Sequence, residues 1–248
     1  MTARSISPAL IRESFVSVSI ALFIVFLWML SAYASLFVLP DVRTLPVFVV
    51  VAVLVGRSFL HTGLFILAHD AMHGTLAPAY PTLNDWAGRI ILRIYSFLSF
   101  EQMQRCHHQH HRTPAQTTDP DFYPGSFWPW YFKFMRTYIE GGQGWVIFWG
   151  MSAFFYPMVL GLHVPVLNAV LFWLLPQAIS SWQLFYFGTY RPHRRPPGGH
   201  TNAHRATSSN ASPILSFLSC YHFDYHWEHH QYPHLPWYKL PSEHCTQP

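Results

Sequence analysis

PVFVVVAVLVGRSFLHTGLFILAHDAMH, residues 46–73, decides the fold. Residues 46–68 are almost wholly apolar, broken mainly by Arg57 and His61. About 20 apolar residues coiled as helix cross a hydrocarbon core of roughly 30 Å. The run then passes directly into His69-Asp70-Ala71-Met72-His73. Histidines at i and i+4 share one helix face, so a membrane helix delivers two imidazoles at its end.

The composition agrees with a chain whose main solvent is lipid. Charged residues are 10% and apolar residues 51%, against about 25% charged in a soluble domain. The net charge of +4 is spread between apolar runs, which excludes a nucleic-acid-binding face of clustered Lys and Arg. Cys106, Cys220 and Cys245 form no CxxC motif and no disulfide framework. The 17 histidines outnumber the 15 Lys and Arg together. Histidine is the commonest metal ligand.

Outward from residues 46–68, three further stretches read as spans: 15–39 before it, then 144–161 and 165–188. The fold expected is all-α: one integral membrane helical bundle over residues 1–248, four transmembrane helices in two hairpins. Pro176 should kink the last helix. Residues 86–100, short and carrying Arg89 and Arg93, read as an interfacial or re-entrant helix. Arg4, Arg12 and Ala32-Tyr33-Ala34 would also suit a cleaved signal peptide, but the apolar run continues past that point, which favours a retained helix. With the amino terminus in the cytoplasm, 13 of the 15 Lys and Arg lie inside, all but Arg43 and Arg57. That satisfies the positive-inside rule.

This topology puts three histidine clusters on the cytoplasmic side. They are His69 and His73; His107, His110 and His111; and His226, His229 and His230. Each has i, i+3 or i+4 spacing, so each aims its imidazoles at one point. A structural zinc site needs four ligands, so eight or nine imply two metals with positions left for substrate or oxygen. The spacing alone gives a cytoplasmic histidine-rich cap, with His108 turned off its cluster's face. Imidazole suits several metals, but an unactivated C–H bond in an apolar substrate needs redox chemistry, which zinc lacks. That favours iron. A membrane metal transporter is the non-enzyme alternative. Transport sites lie near the bilayer midplane, whereas these histidines lie at helix ends.

The clusters, HDAMH, HHQHH and HWEHH, resemble the three histidine boxes of the membrane fatty-acid desaturase and hydroxylase superfamily. GLFILAHDAMHGTL, HHQHHRTPAQTTDPDFYPG, FYFGTYRPHR and YHFDYHWEHHQYPHLPWYKLP resemble more narrowly the bacterial beta-carotene ketolases. The resemblance implies a protein of the bacterial cytoplasmic membrane with two non-haem irons, using O2 and electrons from an external, ferredoxin-type donor. It implies oxidation of carbon 4 of beta-ionone rings: two hydroxylations give a geminal diol that loses water. Beta-carotene then becomes echinenone and canthaxanthin, and 3-hydroxylated rings such as zeaxanthin's lead to astaxanthin. Carotenoid 3-hydroxylation and fatty-acyl desaturation or hydroxylation share the same boxes and stay open.

The resemblance further implies a ninth ligand from the inner end of the last span. His193 fits that place, with His222, one helical turn before His226, as the alternative. Asp70, Glu228, Asp119 and Asp121 could orient ligand imidazoles, or serve as surface and turn residues. Arg57 and His61, one turn apart within a span, could pair with polar groups or line a substrate tunnel. The aromatic run FWPWYFKF, residues 127–134, reads as an interfacial belt or a polyene contact. Arg191, Arg194, Arg195 and Arg205 form a basic patch suited to an acidic donor or to anionic headgroups.

Overall fold

The computed structural model describes residues 6–244, and among them the chain is all helical, with no strand. Arg4 and Cys245 lie outside the described residues, and Cys106 and Cys220 are free thiols.

Proline at the first helical position starts α1, Pro8–Tyr33, whose last turns widen into a π-helix, Ala34–Val38. Pro fits there because the first N–H groups of a helix lack partners in any case. Residues 32–34 lie inside this continuous helix. Phe15, Leu22, Phe23 and Phe26 face outward, while Ser14, Ser17, Ala21 and Ile24 face the protein. Large apolar groups outside, and an inner face that starts with the small Ser14, Ser17 and Ala21, suit a helix packed in lipid. α2 spans Val47–Met72, so the first histidine pair lies at the end of the spanning helix itself. Its carboxyl-terminal half is the central post: Leu64, Ile66, Leu67, Ala68, Ala71 and Met72 are buried nearly completely.

The expected interfacial stretch is shifted. α3 spans Pro81–Ser96 and lays Asn84, Gly88, Ile91, Leu92 and Tyr95 against the core. Phe97 then turns the chain in the left-handed region, φ 57°, and a new helix, α4, Phe100–Arg112, carries the second cluster. Ser99 caps α4 by accepting from the Gln102 N–H, and Glu101 lies in its first turn, both favourable at a helix start. Gly88 lets α4 come close: a Cβ there would lie 2.3 Å from the Phe100 ring.

α5 is Phe127–Ile139 and α6 is Gln143–Tyr156, continued by Pro157–Gly161. α7 is one helical run over residues 166–193, with π-helical turns at Val170–Leu174 and Tyr186–Tyr190. It runs past 188 and so brings His193 to the end where α2 finishes. Its start lies at the opposite end, where the Asn168 amide accepts from the Val42 N–H at 3.0 Å and donates to the Pro40 carbonyl at 3.0 Å. α8, Pro213–Cys220, and α9, His226–Gln231, close the histidine end. Pro8–Val38, Val47–Met72 and Gln143–Gly161 are long and apolar enough to cross a membrane.

The stretch just before Pro176, Val170–Leu174, is π-helical. Proline has no N–H and crowds the carbonyl four residues back, here that of Phe172. The Arg57 Nε donates to this carbonyl at 3.2 Å. Arg57 Nη1 donates to the Trp28 carbonyl at 2.9 Å and to the Ser31 hydroxyl at 3.0 Å. The guanidinium lies 5.3 Å from the Trp28 ring centre. A buried charge is therefore held by carbonyl dipoles and a π face.

Candidate metal centre

The ends of α2, α4, α7 and α9 converge, and nine imidazoles meet there in two groups. In the first, His69, His73, His107 and His229 bring ring nitrogens within 4.8 Å of one another. His73 Nε2 is 2.7 Å from His107 Nε2. His111 Nε2 joins them, 3.1 Å from His107 Nε2 and 2.9 Å from His229 Nε2. The second group is His110, His193, His226 and His230. Its Nε2 atoms lie 3.1 Å apart for His110 and His230, 3.0 Å for His193 and His226, and 3.1 Å for His226 and His230. His111 and His230 stack at 4.1 Å and join the groups.

Imidazole nitrogens about 2 Å from one metal ion are about 3 Å from each other, the spacing seen here. Satisfaction points the same way. Both nitrogens of His69 are buried with no hydrogen-bond partner. Each orphaned buried group costs about 1–3 kcal/mol, a cost that a bound cation would remove from any nitrogen that ligates it. Burial, and then the neighbouring imidazoles, hold His107, His111, His226, His229 and His230 well below the ordinary histidine range, and His73 is lowered to about 3. At neutral pH these rings are therefore uncharged and keep the lone pair that a metal requires.

Two rings are oriented from behind. His193 Nδ1 donates to the Arg205 carbonyl at 2.9 Å. His110 Nδ1 donates to Asp119 Oδ2 at 2.9 Å, and Asp119 also accepts from the Ala115 and Asp121 N–H groups, each at 2.8 Å. Burial opposes charge on His110, but the Asp119 carboxylate outweighs it and raises that ring.

Of the other expected site residues, Asp121 lies beside His110 and Asp119, and the rest bond elsewhere. His222 points away from the imidazoles, its Nδ1 3.0 Å from the Ser216 hydroxyl. Asp70 accepts from the Trp237 N–H at 3.3 Å and so ties the carboxyl-terminal segment to α2. Glu228 pairs with His244 Nδ1 at 2.7 Å and with the Ser208 hydroxyl. His108 Nε2 meets the Met72 carbonyl at 2.9 Å. His61 accepts from Trp28 Nε1–H at 3.2 Å and stacks on Tyr95 at 4.6 Å. Asp121 accepts from the Tyr138 hydroxyl at 2.5 Å, and burial raises its carboxyl to about 6.

A small chamber reaches the imidazoles, and a larger cavity shares part of its wall. A chamber of about 40 Å³ is walled by His69, His107, His110 and His226, with Asp121 and Thr189. Gly188 is part of its wall and lets the Phe223 ring pack close, since a Cβ there would lie 2.5 Å from that ring. Beyond it a cavity of about 400 Å³, mostly apolar, runs between α3, α5, α6 and α7. Phe65, Met103, Phe134, Tyr138 and Leu184 line both. The aromatic run on α5 divides: Tyr131 and Phe134 line the cavity, while Trp128 and Phe132 are exposed. Nothing in the spacing of Met103, Tyr138, Thr189 or Phe223 singled them out, because contact across α4, α5, α7 and the α8–α9 turn brings them together.

Residues 44–245 match the fatty acid desaturase family, and the chain belongs to it. Within that family the similarity narrows to ketolases. The chain is 34% identical over 244 residues to the beta-carotene ketolase of Paracoccus sp. (strain PC1), covering 96% of each chain. It is 39% identical over 206 residues to the beta-carotene ketolase of Haematococcus lacustris, covering 80% of this chain and 62% of that one. It is 40% identical over 204 residues to the zeaxanthin 4-ketolase of Chlamydomonas reinhardtii, covering 80% of this chain and 44% of that one. The chain thus spans roughly half to two-thirds of the length of these algal relatives. No solved structure matches it significantly.

Proposed function

We propose that the protein is a membrane carotenoid 4-ketolase that oxidises beta-ionone rings with O2. The observation that carries this is the pair of imidazole groups around a small chamber that shares a wall with an apolar cavity. His69, His73, His107, His111 and His229 would hold one iron, and His110, His193, His226 and His230 the other. Bound iron supplies the redox chemistry that activates O2 against a C–H bond.

The chain's own residues do the rest. The cavity walls take up the ring and exclude water, and the chamber exposes only the carbon nearest the imidazoles. Each hydroxylation takes one O2, two electrons and two protons, and releases one water. The geminal diol formed by the second then loses water to leave the ketone. Beta-carotene gives echinenone and canthaxanthin, and zeaxanthin's 3-hydroxylated rings give astaxanthin.

In this reading α7 is a fourth span, supported by its contacts at both ends of the bundle. The charge distribution supports a cytoplasmic face for the imidazoles, and the membrane would be the bacterial inner one. Electrons would come from a ferredoxin-type donor. Supporting this is a surface cleft lined by Arg194, Arg195, His200 and Arg205, since the Arg205 carbonyl accepts directly from His193.

Expression in cells that make beta-carotene tests the proposal. Echinenone and canthaxanthin should appear, and His226→Ala should abolish them. Zeaxanthin instead would move the oxidation to carbon 3, and unchanged beta-carotene with the protein in the membrane would contradict the carotenoid assignment.

A further inference from the structure

We propose that Tyr138 and Asp121 form a hydroxyl-holding pair that retains the half-oxidised ring between its two oxidations. This rests on the ketolase function proposed above. A ketone at carbon 4 requires the same carbon to be oxidised twice, and the product of the first step is an alcohol. In an apolar cavity that alcohol loses hydration and gains nothing unless a polar group meets it. Without such a group, release into the membrane would compete with the second oxidation.

The polar group must lie where the cavity meets the chamber. Five side chains line both spaces, and Tyr138 is the one among them with a hydroxyl. Its partner Asp121 also lines the chamber. The chamber is about 40 Å³, whereas one water needs about 10–15 Å³. It can take a hydroxyl and a small oxygen species but not a ring. The ring therefore stays in the larger cavity, and only the substituent on the reacting carbon enters, beside Asp121.

The pair is rigid and in register with the imidazoles. Asp121 donates its N–H to Asp119 Oδ1 at 2.8 Å, and its carbonyl accepts from Trp130 Nε1–H at 2.6 Å. Asp119 in turn holds His110. Tyr138 occupies one Asp121 oxygen, Oδ1, and among the described residues the other accepts no hydrogen bond. A ring hydroxyl donating to that second oxygen completes the carboxyl group's bonding and places carbon 4 at the chamber mouth.

The test uses membranes from beta-carotene-producing cells and measures the ratio of 4-hydroxy to 4-keto rings. Tyr138→Phe and Asp121→Asn should each raise that ratio about fivefold, the factor that one ordinary hydrogen bond is worth. Loss of packing alone would lower total turnover without moving the ratio. Wild-type membranes supplied with 4-hydroxy-beta-carotene should show a lower KM for it than for beta-carotene, a measurement that needs no variant. An unchanged ratio in variants that still form ketone, or a KM for the alcohol equal to or above that of beta-carotene, overturns the proposal. Wild-type membranes that form no 4-oxygenated ring overturn the ketolase function itself, and the pair's role with it.

Discussion

Arg57 and the histidine cap are both polar regions buried among apolar helices, and they differ in how their bonding is completed. Around Arg57 the protein supplies the partners: the carbonyl freed by Pro176, the Trp28 carbonyl and the Ser31 hydroxyl. At the cap the protein gathers nine imidazoles and leaves both nitrogens of His69 without partners. A buried polar group that the chain satisfies braces the fold. One that the chain leaves unsatisfied, with ring nitrogens of three other histidines within 4.8 Å, awaits something from outside.

The sharpest way to break this comparison is at His69. His69→Leu should take ketone formation below detection in the pigment assay and remove metal from the purified protein. The same change should make the metal-free protein more stable, by about 1 kcal/mol, because it removes two unsatisfied buried nitrogens. Denaturant unfolding of metal-free samples in detergent checks this, and a less stable variant would undo the contrast with Arg57.

Arg57→Met should behave in the opposite way. It should cost about 3 kcal/mol of stability while the folded fraction keeps its metal. In a Pro176→Ala background, residue 176 regains an N–H for the Phe172 carbonyl. The Arg57→Met cost should then shrink by about 1 kcal/mol, a coupling that a double-mutant cycle reads directly. Additive costs would mean that Arg57 does not compensate for the proline.

Asp119→Asn probes the carboxylate that holds the His110 imidazole. Removing such a partner typically lowers metal affinity or activity about 10–100-fold. Chelator titration of the loaded protein should show a loss in that range. His222→Ala should have the smallest effect, within about twofold in activity, since its hydrogen bond goes to the Ser216 hydroxyl and not to the imidazole groups. A loss as large as that of His69→Leu would put His222 in the site after all.

How far the sequence could be read follows from which features are local. The hydropathy of residues 46–68 and the i, i+3, i+4 spacing of the clusters are local, and the helices carry them as written. Arg57 and His61 were recognisable as polar groups within a span, but their partners Phe172 and Trp28 lie on other helices. The choice between His193 and His222 needed tertiary structure. The i+4 step from His222 to His226 matters only if one helix contains both. The chain instead turns there, with Tyr221 at φ 50° and His222 at φ 62°, and α9 begins at His226. His193 reaches the site because the π-helical turns carry α7 past Pro176 to the end of the bundle. Glu228 and Asp70 have offsets suited to orienting ligand histidines, yet Glu228 bonds to His244 and Ser208, and Asp70 to the Trp237 backbone.

The most direct test of the account is the metal content of protein purified from iron-replete membranes, measured with the His193→Ala variant alongside. Two irons per chain, falling to one or fewer in the variant, is the result predicted by two imidazole groups with His193 in the second. One metal per chain, or zinc in place of iron, or two irons retained after His193→Ala, would contradict it.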